Sequence, residues 1–397
     1  MKFKKRLLLT IKLIICLSFI IAISGCDNGT RDEPHVYPDV ETIQQTPPPM
    51  PPPINIVPWV DEVEHIFFHE VVAFPDIAFP GRTDHHGLDY ITVTVNEFNL
   101  ILEELYRNGF LLVNMRDVWS EYTDIDGHQR MRQNVLMLPE GRTPLIITFD
   151  NLSFHMEPAN AFMHRYIIGP DGDVWAEGVD RDGNVFISQN YTVLTILENF
   201  IRENPGFTHN DARAGIALTG LHGILGYRTQ SNPYDDSEEF RLNRMQEIAR
   251  VRPVIERLNE TGWYWASNTW GHIRLDNTNL NQVISDAERW NDEVGSLVGR
   301  TNILIYPHGA RLDGGDVLVD NVGPAAIHYI HELGFRMFAS MNHTPFSLLR
   351  EDVPAVMMDR IAIDGLSLRR ARDWYIRFFD SAELFDPHRP YGETFWD

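Results

Sequence analysis

The stretch Leu145-Ile146-Ile147-Thr148-Phe149-Asp150-Asn151 begins as an apolar run and ends in two polar residues. An uncharged run rich in β-branched and aromatic side chains predicts a strand that is buried on both faces, as in a parallel sheet. Parallel α/β folds gather their chemistry at the C-terminal ends of their strands. We therefore expect Asp150 and Asn151 to lie at a functional edge of the fold.

Strand-like and helix-like segments alternate on both sides of this stretch. Further strands are predicted at 65–69, 111–113, 214–218, 263–267, 302–307 and 335–340. Helices are predicted after Thr94, which has capping-box spacing to Glu97, and at 192–203, 236–260, 278–298 and 324–333. Turn signals within 166–190 predict an inserted hairpin. The alternation implies parallel strands joined by crossover helices, in either a barrel or an open doubly wound sheet.

The first 55 residues have a different character. Residues 1–25 combine a basic start with an apolar run at 13–23, which is typical of a secretory signal peptide. The sequence Ile23-Ser24-Gly25-Cys26 resembles a bacterial lipobox, and this resemblance implies lipidation at Cys26. An uncleaved membrane-spanning anchor is the alternative. Residues 26–55 are predicted to be a proline-rich tether and residues 56–397 a globular domain, held outside the cell at the membrane by a lipid anchor.

The composition excludes several kinds of chemistry and partner. The chain has two cysteines, Cys16 and Cys26, and no lysine after Lys12, so the domain has neither a thiol nucleophile nor a Schiff-base lysine. Removal of the signal peptide takes the formal net charge from −22 to −27. Such a surface repels nucleic acid. We expect neutral or cationic partners, and sugars with free or acetylated amines qualify.

Polar residues follow several other predicted strands. Asn268 follows the strand at 263–267 and precedes His272, His69 ends the first strand, and Tyr306-Pro307-His308-Gly309 ends the strand at 302–306. Because parallel strands place their C-terminal ends at one edge, these groups are expected to meet Asp150 there. A single Asp after a strand is more often a helix cap, and a single His is more often structural.

Three of these segments together resemble the polysaccharide deacetylases of the NodB-homology type. Thr148-Phe149-Asp150-Asn151 resembles that family's Thr-Phe-Asp-Asp motif, and residues 266–272 resemble its Ser-His-Thr/Ser-x-x-His motif. Tyr306-Pro307-His308-Gly309 resembles its Tyr-Pro-aromatic-Gly motif. The resemblance implies an α/β fold, a distorted (β/α)7 barrel of the glycoside hydrolase/deacetylase type. It also implies a divalent metal ion, usually zinc, and cell-wall or capsular polysaccharide as the substrate.

Residue by residue, the resemblance carries over only in part. It gives Asp150 the role of general base, His272 that of a metal ligand, and Tyr306, Pro307 and His308 that of substrate binding. Asn151 and Asn268 stand where the family has its metal-binding Asp and first His. Because an amide oxygen is a poor zinc ligand, we expect the metal site to be degenerate and the zinc lost. His155 and His308 are the candidate replacement ligands, and no general acid is evident.

Three functions remain open from the sequence. The first is a weak or inactive deacetylase homologue that still binds glycan, supported by aromatic residues around the second motif, Trp263, Tyr264, Trp265 and Trp270. The second is an active metal-dependent N-deacetylase with rearranged ligands. The third is a non-catalytic module that contacts another protein.

Overall fold

Seven parallel strands close into a barrel at the centre of the molecule. In chain order, the strands of this computed structural model are β1 (Ile56–Trp59), β2 (Glu64–Phe68), β3 (Phe110–Leu112), β4 (Trp119–Thr123), β5 (Gln129–Gln133), β6 (Leu136–Pro139), β7 (Thr143–Asp150), β8 (Arg165–Ile168), β9 (Val174–Val179), β10 (Val185–Ser188), β11 (Gly215–Leu218), β12 (Tyr264–Ser267), β13 (Ile303–Ile305), β14 (Met337–Met341), β15 (Ser347–Leu349) and β16 (Val356–Ala362). The barrel runs β2-β7-β11-β12-β13-β14-β16 and returns to β2, with every pairing parallel. The predicted (β/α)7 barrel is therefore confirmed, and the open sheet is excluded.

The structure describes residues 55–153, 158–312, 322–342, 344–370 and 372–390. The predicted signal peptide, Cys26, nearly all of the tether and His155 lie outside these ranges. Within them, no helix combines the length and apolar character needed to cross a membrane.

Helices surround the barrel. They are α1 (Pro75–Ala78), α2 (Leu88–Ile91), α3 (Val95–Arg107), α4 (Met115–Val118), α5 (Val193–Glu203), α6 (Glu238–Glu260), α7 (Leu280–Trp290), α8 (Ser296–Val298), α9 (Val322–Glu332), α10 (Gly365–Arg370) and α11 (Arg372–Tyr375). The start of α3 lies where the capping-box spacing of Thr94 and Glu97 predicted it. Thr94 Oγ1 accepts the backbone N–H of Glu97 at 3.2 Å, and Glu97 Oε2 accepts that of Thr94 at 2.8 Å. This capping box satisfies two N–H groups that the helix itself cannot bond.

Alternation along the strands separates two cores. In β7, Leu145, Ile147 and Phe149 pack into the layer between barrel and helices, whereas Ile146 belongs to a second cluster inside the barrel. Because successive side chains of a strand point to opposite faces, Thr148 and Asp150 continue the inward series of Ile146. The side chains of β7 that point into the barrel are therefore apolar nearer its N-terminal end and polar towards its C-terminal end.

The predicted inserted hairpin is a three-stranded antiparallel sheet, β8-β9-β10. The segment contains two turns, and it therefore forms three strands instead of the two strands of a hairpin. In the second turn, Asp180 Oδ1 accepts the backbone N–H groups of Asp182 and Asn184 at 2.9 and 2.8 Å. The acidic residues of this segment are therefore explained by turn geometry.

The C-terminal segment is fastened to α2 and α3 by Arg389. The guanidinium of Arg389 is fully buried and donates to Glu97 Oε1 and Oε2 at 2.6 and 2.7 Å. It also donates to Asp89 Oδ1 at 3.0 Å and to the carbonyls of Asp89 and Thr92 at 2.9 and 2.7 Å. All five guanidinium N–H groups can thus be satisfied, which is the condition for burying an arginine.

Candidate active site at the barrel mouth

The C-terminal ends of β7, β12 and β13 bring the predicted site residues to one end of the barrel. We call this end the barrel mouth and define it by Asp150, Asn151, Asn268, His272, His308 and Arg360. The parallel pairing of β7 with β11 and of β11 with β12 places Asp150 and Asn268 two strands apart on the inner wall. The predicted convergence of these strand ends is therefore observed.

Asp150 is bound by a buried arginine. Arg360 Nη1 lies 2.8 Å from Asp150 Oδ1, and Nη2 lies 3.0 Å from Oδ2. The two residues are 1% and 4% exposed, so the pair is shielded from water. Each carboxylate oxygen accepts one N–H of a rigid fork, the strongest geometry for an arginine–carboxylate pair. The pair fixes the orientation of the Asp150 carboxylate and occupies one lone-pair position on each of its oxygens.

The rest of the guanidinium is also held by the barrel interior. Arg360 Nη1 donates to Thr148 Oγ1 at 3.1 Å, and Nε donates to the carbonyl of Ser340 at 3.3 Å. The guanidinium carbon lies 4.0 Å from the centroid of the Phe67 ring. Burial and the nearby Arg360 charge lower the pKa of His65 well below its ordinary value. His65 is therefore neutral, with Nε2 3.1 Å from Thr148 Oγ1.

The side-chain amide nitrogens of Asn268 and Asn151 contact neighbouring polar groups at the mouth. Asn268 Nδ2 donates to Asp150 Oδ2 at 3.4 Å, and Asn151 Nδ2 lies 3.2 Å from His272 Nε2. The side-chain oxygens of both asparagines are buried and accept no hydrogen bond from any described residue. An unpaired buried amide oxygen is costly, so both positions are suited to accepting an N–H or O–H.

Two histidines meet beside Asn151. The ring centroids of His272 and His308 are 4.4 Å apart. Asn151, His272 and His308 all have left-handed backbone conformations, with φ values of 59°, 52° and 57°. Non-glycine residues with such φ values are uncommon and concentrate at functional sites. These backbone conformations orient the three side chains, and they are less favourable in free energy than the usual right-handed or extended conformations.

The three residues predicted to bind substrate differ in accessibility. Tyr306 is 2% exposed and packs against Phe338 in the layer between barrel and helices. Pro307 is buried as well, whereas His308 is exposed. His308 is therefore the one member of this set whose side chain is accessible from solvent, and Tyr306 and Pro307 shape the turn that presents it.

Three of the four aromatic residues around the second motif are buried, and only Trp270 is partly exposed. Trp263, Tyr264 and Trp265 are 4%, 1% and 4% exposed, so the structure places them in the core. Trp270 has Arg289 stacked 3.3 Å from its ring centroid. At Gly220, a Cβ would lie 2.1 Å from the Trp270 ring, so that backbone packs directly against the indole. Trp263, Tyr264 and Trp265 therefore cannot stack on a sugar ring, and one face of Trp270 is already covered by Arg289.

Two further acids lie next to the barrel end of β2. Burial raises the pKa of Asp364, against the effects of the Ser367 N–H and of His69. Glu70, directly after His69, accepts the Tyr166 hydroxyl at 2.6 Å and the backbone N–H of Val193 at 3.0 Å. Burial raises the pKa of Glu70 to about 7. Glu70 therefore joins the end of β2 to the inserted sheet and to the start of α5.

Comparison with models of protein families finds none that matches the sequence, and comparison with curated proteins finds no match either. The structure is similar to that of the Streptococcus pyogenes deacetylase PplD in complex with acetate. The TM-score is 0.40, and the sequences are 11% identical over 77% of this chain and 93% of that chain. It is also similar to IcaB from Ammonifex degensii, with a TM-score of 0.38 and 13% identity over 81% of this chain and 97% of that chain. The barrel assignment itself rests on the strand order.

The mouth does not fit a zinc ion of the kind that the motif resemblance implies. Such a site needs one carboxylate and two imidazoles. Here the corresponding side chains are Asn151, Asn268 and His272, and the amide nitrogens face His272 and Asp150 respectively. An amide nitrogen has no lone pair available to a metal ion, and no anionic ligand replaces the missing Asp at these positions.

One group of three side chains among the described residues could hold a metal ion, and it lies elsewhere. Asp124, Asp126 and His128 occupy the turn between β4 and β5. Asp124 Oδ1 accepts the backbone N–H groups of Asp126 and His128 at 3.0 and 2.8 Å. These bonds are those of a tight hairpin turn.

Sequence reasoning missed the role of Arg360. A signal was present, because Val356-Met357-Met358-Asp359-Arg360-Ile361-Ala362 places a cation within a strand that is otherwise mostly apolar. A buried arginine requires a buried carboxylate. The identity of that carboxylate depends on the barrel register, which the sequence does not give.

Proposed function

We propose that this chain is a deacetylase-like surface lipoprotein whose barrel mouth binds N-acetylated cell-wall or capsular glycan, or processes it slowly, without a tightly held metal ion. The observation that carries the proposal is the pairing of both Asp150 oxygens with Arg360. With its general base engaged and two ligand positions occupied by amides, the mouth retains groups for binding but lacks those for rapid hydrolysis.

The polar groups of the mouth suit an acetamido sugar. The unpaired oxygens of Asn151 and Asn268 match the acetamide N–H or a sugar hydroxyl, and since both atoms are buried, the side chains that cover them must move for a sugar to bind. The exposed imidazole of His308 offers one donor and one acceptor at the rim. The strongly acidic composition favours neutral over anionic glycans.

The cellular location in this proposal rests on the sequence. The signal-like residues 1–25 and the lipobox-like sequence ending in Cys26 support a location outside the cytoplasm with a lipid anchor. The proline-rich residues 26–55 then act as a stiff spacer. This arrangement would bring the mouth within reach of surface polysaccharide.

Two measurements on the purified full chain test the proposal. Elemental analysis with and without added zinc should find much less than one tightly held divalent ion per chain. Calorimetric titration with acetylated chitooligosaccharides should show binding that His308→Ala weakens. His328→Ala, at an exposed position on α9, is the matched control and should leave binding unchanged. Absence of glycan binding, or equal loss in both variants, would refute the binding role.

An active deacetylase with rearranged ligands is the second candidate. It is favoured by the proximity of His272 and His308, whose ring centroids lie 4.4 Å apart. Two imidazoles suit zinc, copper or nickel. A stoichiometric, tightly held ion together with release of acetate from the chitooligosaccharides would establish this candidate and overturn the proposal above.

A further inference from the structure

A groove of about 870 Å³ lies between α3 and α5, on the outer surface of the helical layer. We call it the α3–α5 groove. Its walls include Asn99, Glu103, Tyr106, Asn190, Glu203 and Asn204. This volume lies within the range of sites that take small ligands, and none of these residues belongs to the barrel mouth.

The groove presents hydrogen-bond acceptors. Asn99 Nδ2 donates to the carbonyl of Val95 at 2.7 Å, and Asn204 Nδ2 donates to that of Phe200 at 3.0 Å. Within the described ranges, the side-chain oxygens of Asn99 and Asn204 accept no hydrogen bond. Each amide therefore uses a donor on its own helix and keeps its acceptor for another partner.

The groove also carries two carboxylates that have no ion-pair partner among the described residues. Glu103 and Glu203 are exposed, and neither forms an ion pair or hydrogen bond with any residue that the structure describes. One cation, Arg107, also lines the groove, and it is paired with Glu104, which does not line it. Two carboxylates and two amide oxygens around one groove favour a cationic ligand with several donors.

Aromatic and aliphatic side chains complete the lining. Tyr106 and Phe200 are half-buried there, with their ring centroids 6.2 Å apart in an edge-to-face arrangement. Ile196 adds an aliphatic surface. The C–H face of a pyranose ring packs on such surfaces while its hydroxyls bond at the edges.

We propose that the α3–α5 groove binds short oligosaccharides of amine-bearing hexosamines, in which the amine is free and protonated. Such a sugar supplies ammonium groups for Glu103 and Glu203 and hydroxyl donors for Asn99 and Asn204. A lysine-rich peptide supplies charge and N–H donors as well, but each of its side chains loses more conformational freedom on binding than a pyranose ring does. This assignment is independent of the function proposed for the barrel mouth.

Calorimetric titration of the purified full chain tests the assignment. The ligands are the glucosamine trimer, its fully N-acetylated form and trilysine. Each ligand is titrated at two salt concentrations, about 20 mM and about 500 mM. The glucosamine trimer should bind best, and its affinity should fall with salt. The double variant Glu103→Gln and Glu203→Gln should weaken this binding roughly five- to twentyfold, since each exposed charge pair contributes modestly.

The matched control is the double variant Glu239→Gln and Glu256→Gln. Both residues are exposed on α6 and do not line the groove, so this variant removes the same charge and should leave affinity unchanged. Equal loss in the two double variants would refute the site. Tighter binding of trilysine would refute the sugar assignment, and no binding of any ligand would refute both.

Discussion

Arg360 and Asp150 pair across an intervening strand. Arg360 lies on β16 and Asp150 at the end of β7, and β2 stands between these two strands in the barrel. Their N–O distances of 2.8 and 3.0 Å join segments that are 210 residues apart in the chain. The pair thus links next-nearest strands at the mouth, where the barrel interior becomes polar.

Removing one partner of this pair should be more harmful than removing both. Arg360→Met leaves the Asp150 carboxylate buried without a counter-ion and should lower the free energy of unfolding by about 3–5 kcal/mol. The double variant Arg360→Met and Asp150→Leu should recover most of this loss. Urea denaturation of both variants measures the difference. Equal destabilisation by the single and double changes would mean that charge pairing is not what holds the mouth.

Restoring the ligands should restore metal binding. Asn151→Asp with Asn268→His would recreate an Asp-His-His set with His272, and zinc affinity should rise by orders of magnitude, since each ligand contributes at least about tenfold. Deacetylation should remain slow or undetectable because Arg360 still occupies Asp150 and no general acid is evident. Calorimetric zinc titration of wild type and double variant checks this, and equally weak binding by both would contradict the site geometry.

Stability should fall as the pH rises through the range in which Glu70 ionises. Burial raises the pKa of Glu70 from 4.5 to about 7, so between these values the unfolded chain releases a proton that the folded chain keeps. The contribution is fully present below about pH 4.5 and is lost as pH passes about 7, amounting to at most about 3 kcal/mol. Urea denaturation across this range should show the decline.

Glu70→Gln removes the ionisation and should flatten that pH profile. Gln keeps a carbonyl oxygen that can accept the Val193 N–H. The exposed change Glu103→Gln is the matched control and should leave the slope as in wild type. An unchanged slope in Glu70→Gln would assign the pH dependence to another group.

The Arg389 contacts predict a large effect from a residue far from the mouth. Arg389→Met should cost about 3–5 kcal/mol, because Glu97 is left buried without its cation and Asp89 keeps only its pair with Arg369. Arg377 offers a control, since its ion pair with Glu64 is partly exposed and Arg377→Met should cost less than about 1 kcal/mol. Thermal or urea unfolding distinguishes them, and similar costs would argue against burial as the cause.

Lipid attachment should depend on Cys26. If Cys26 is the lipidated residue, as the lipobox-like sequence predicts, Cys26→Ser should abolish incorporation of a fatty-acid analogue and leave residues 1–25 uncleaved, because it removes the thiol that would be acylated. Cys16→Ser, within the predicted signal peptide, is the matched control and should label normally. Labelling of the Cys26→Ser chain at the wild-type level would contradict the lipoprotein assignment.

The fold was largely predictable because it depends on short-range patterns. The apolar run at 145–149 and the alternation of segments predicted parallel strands with crossover helices, and Thr94 with Glu97 predicted the start of α3. The inserted hairpin proved to be a three-stranded sheet, although both of its turns are visible in the sequence. Barrel closure depends on the pairing of β7 with β11 and β2, and motif resemblance indicated it where periodicity left it open.

The sequence predicted which residues lie at the site, but not their hydrogen-bond partners or their exposure. Strand ends brought Asp150, Asn268 and His308 to one mouth as expected. Pairing partners and accessibility were not predictable, because they depend on register and on neighbouring layers. Arg360 reaches Asp150 through the barrel interior, and Tyr306 is covered by the helical layer. Neither the Arg360–Asp150 pair nor the burial of Tyr306 can be predicted from the local sequence.

The position of Arg389 also has a consequence for the order in which the protein can form. Asp89 and Glu97 enter the chain early, yet the side chain that satisfies both of them arrives about 300 positions later. Until then, α3 cannot bury Glu97 without leaving its charge uncompensated, and Asp89 has a cation only once Arg369 is present. A partly synthesised chain therefore gains little by folding this region early. The packing of α2 and α3 against the C-terminal segment is completed only when residue 389 arrives, although every strand of the barrel precedes it.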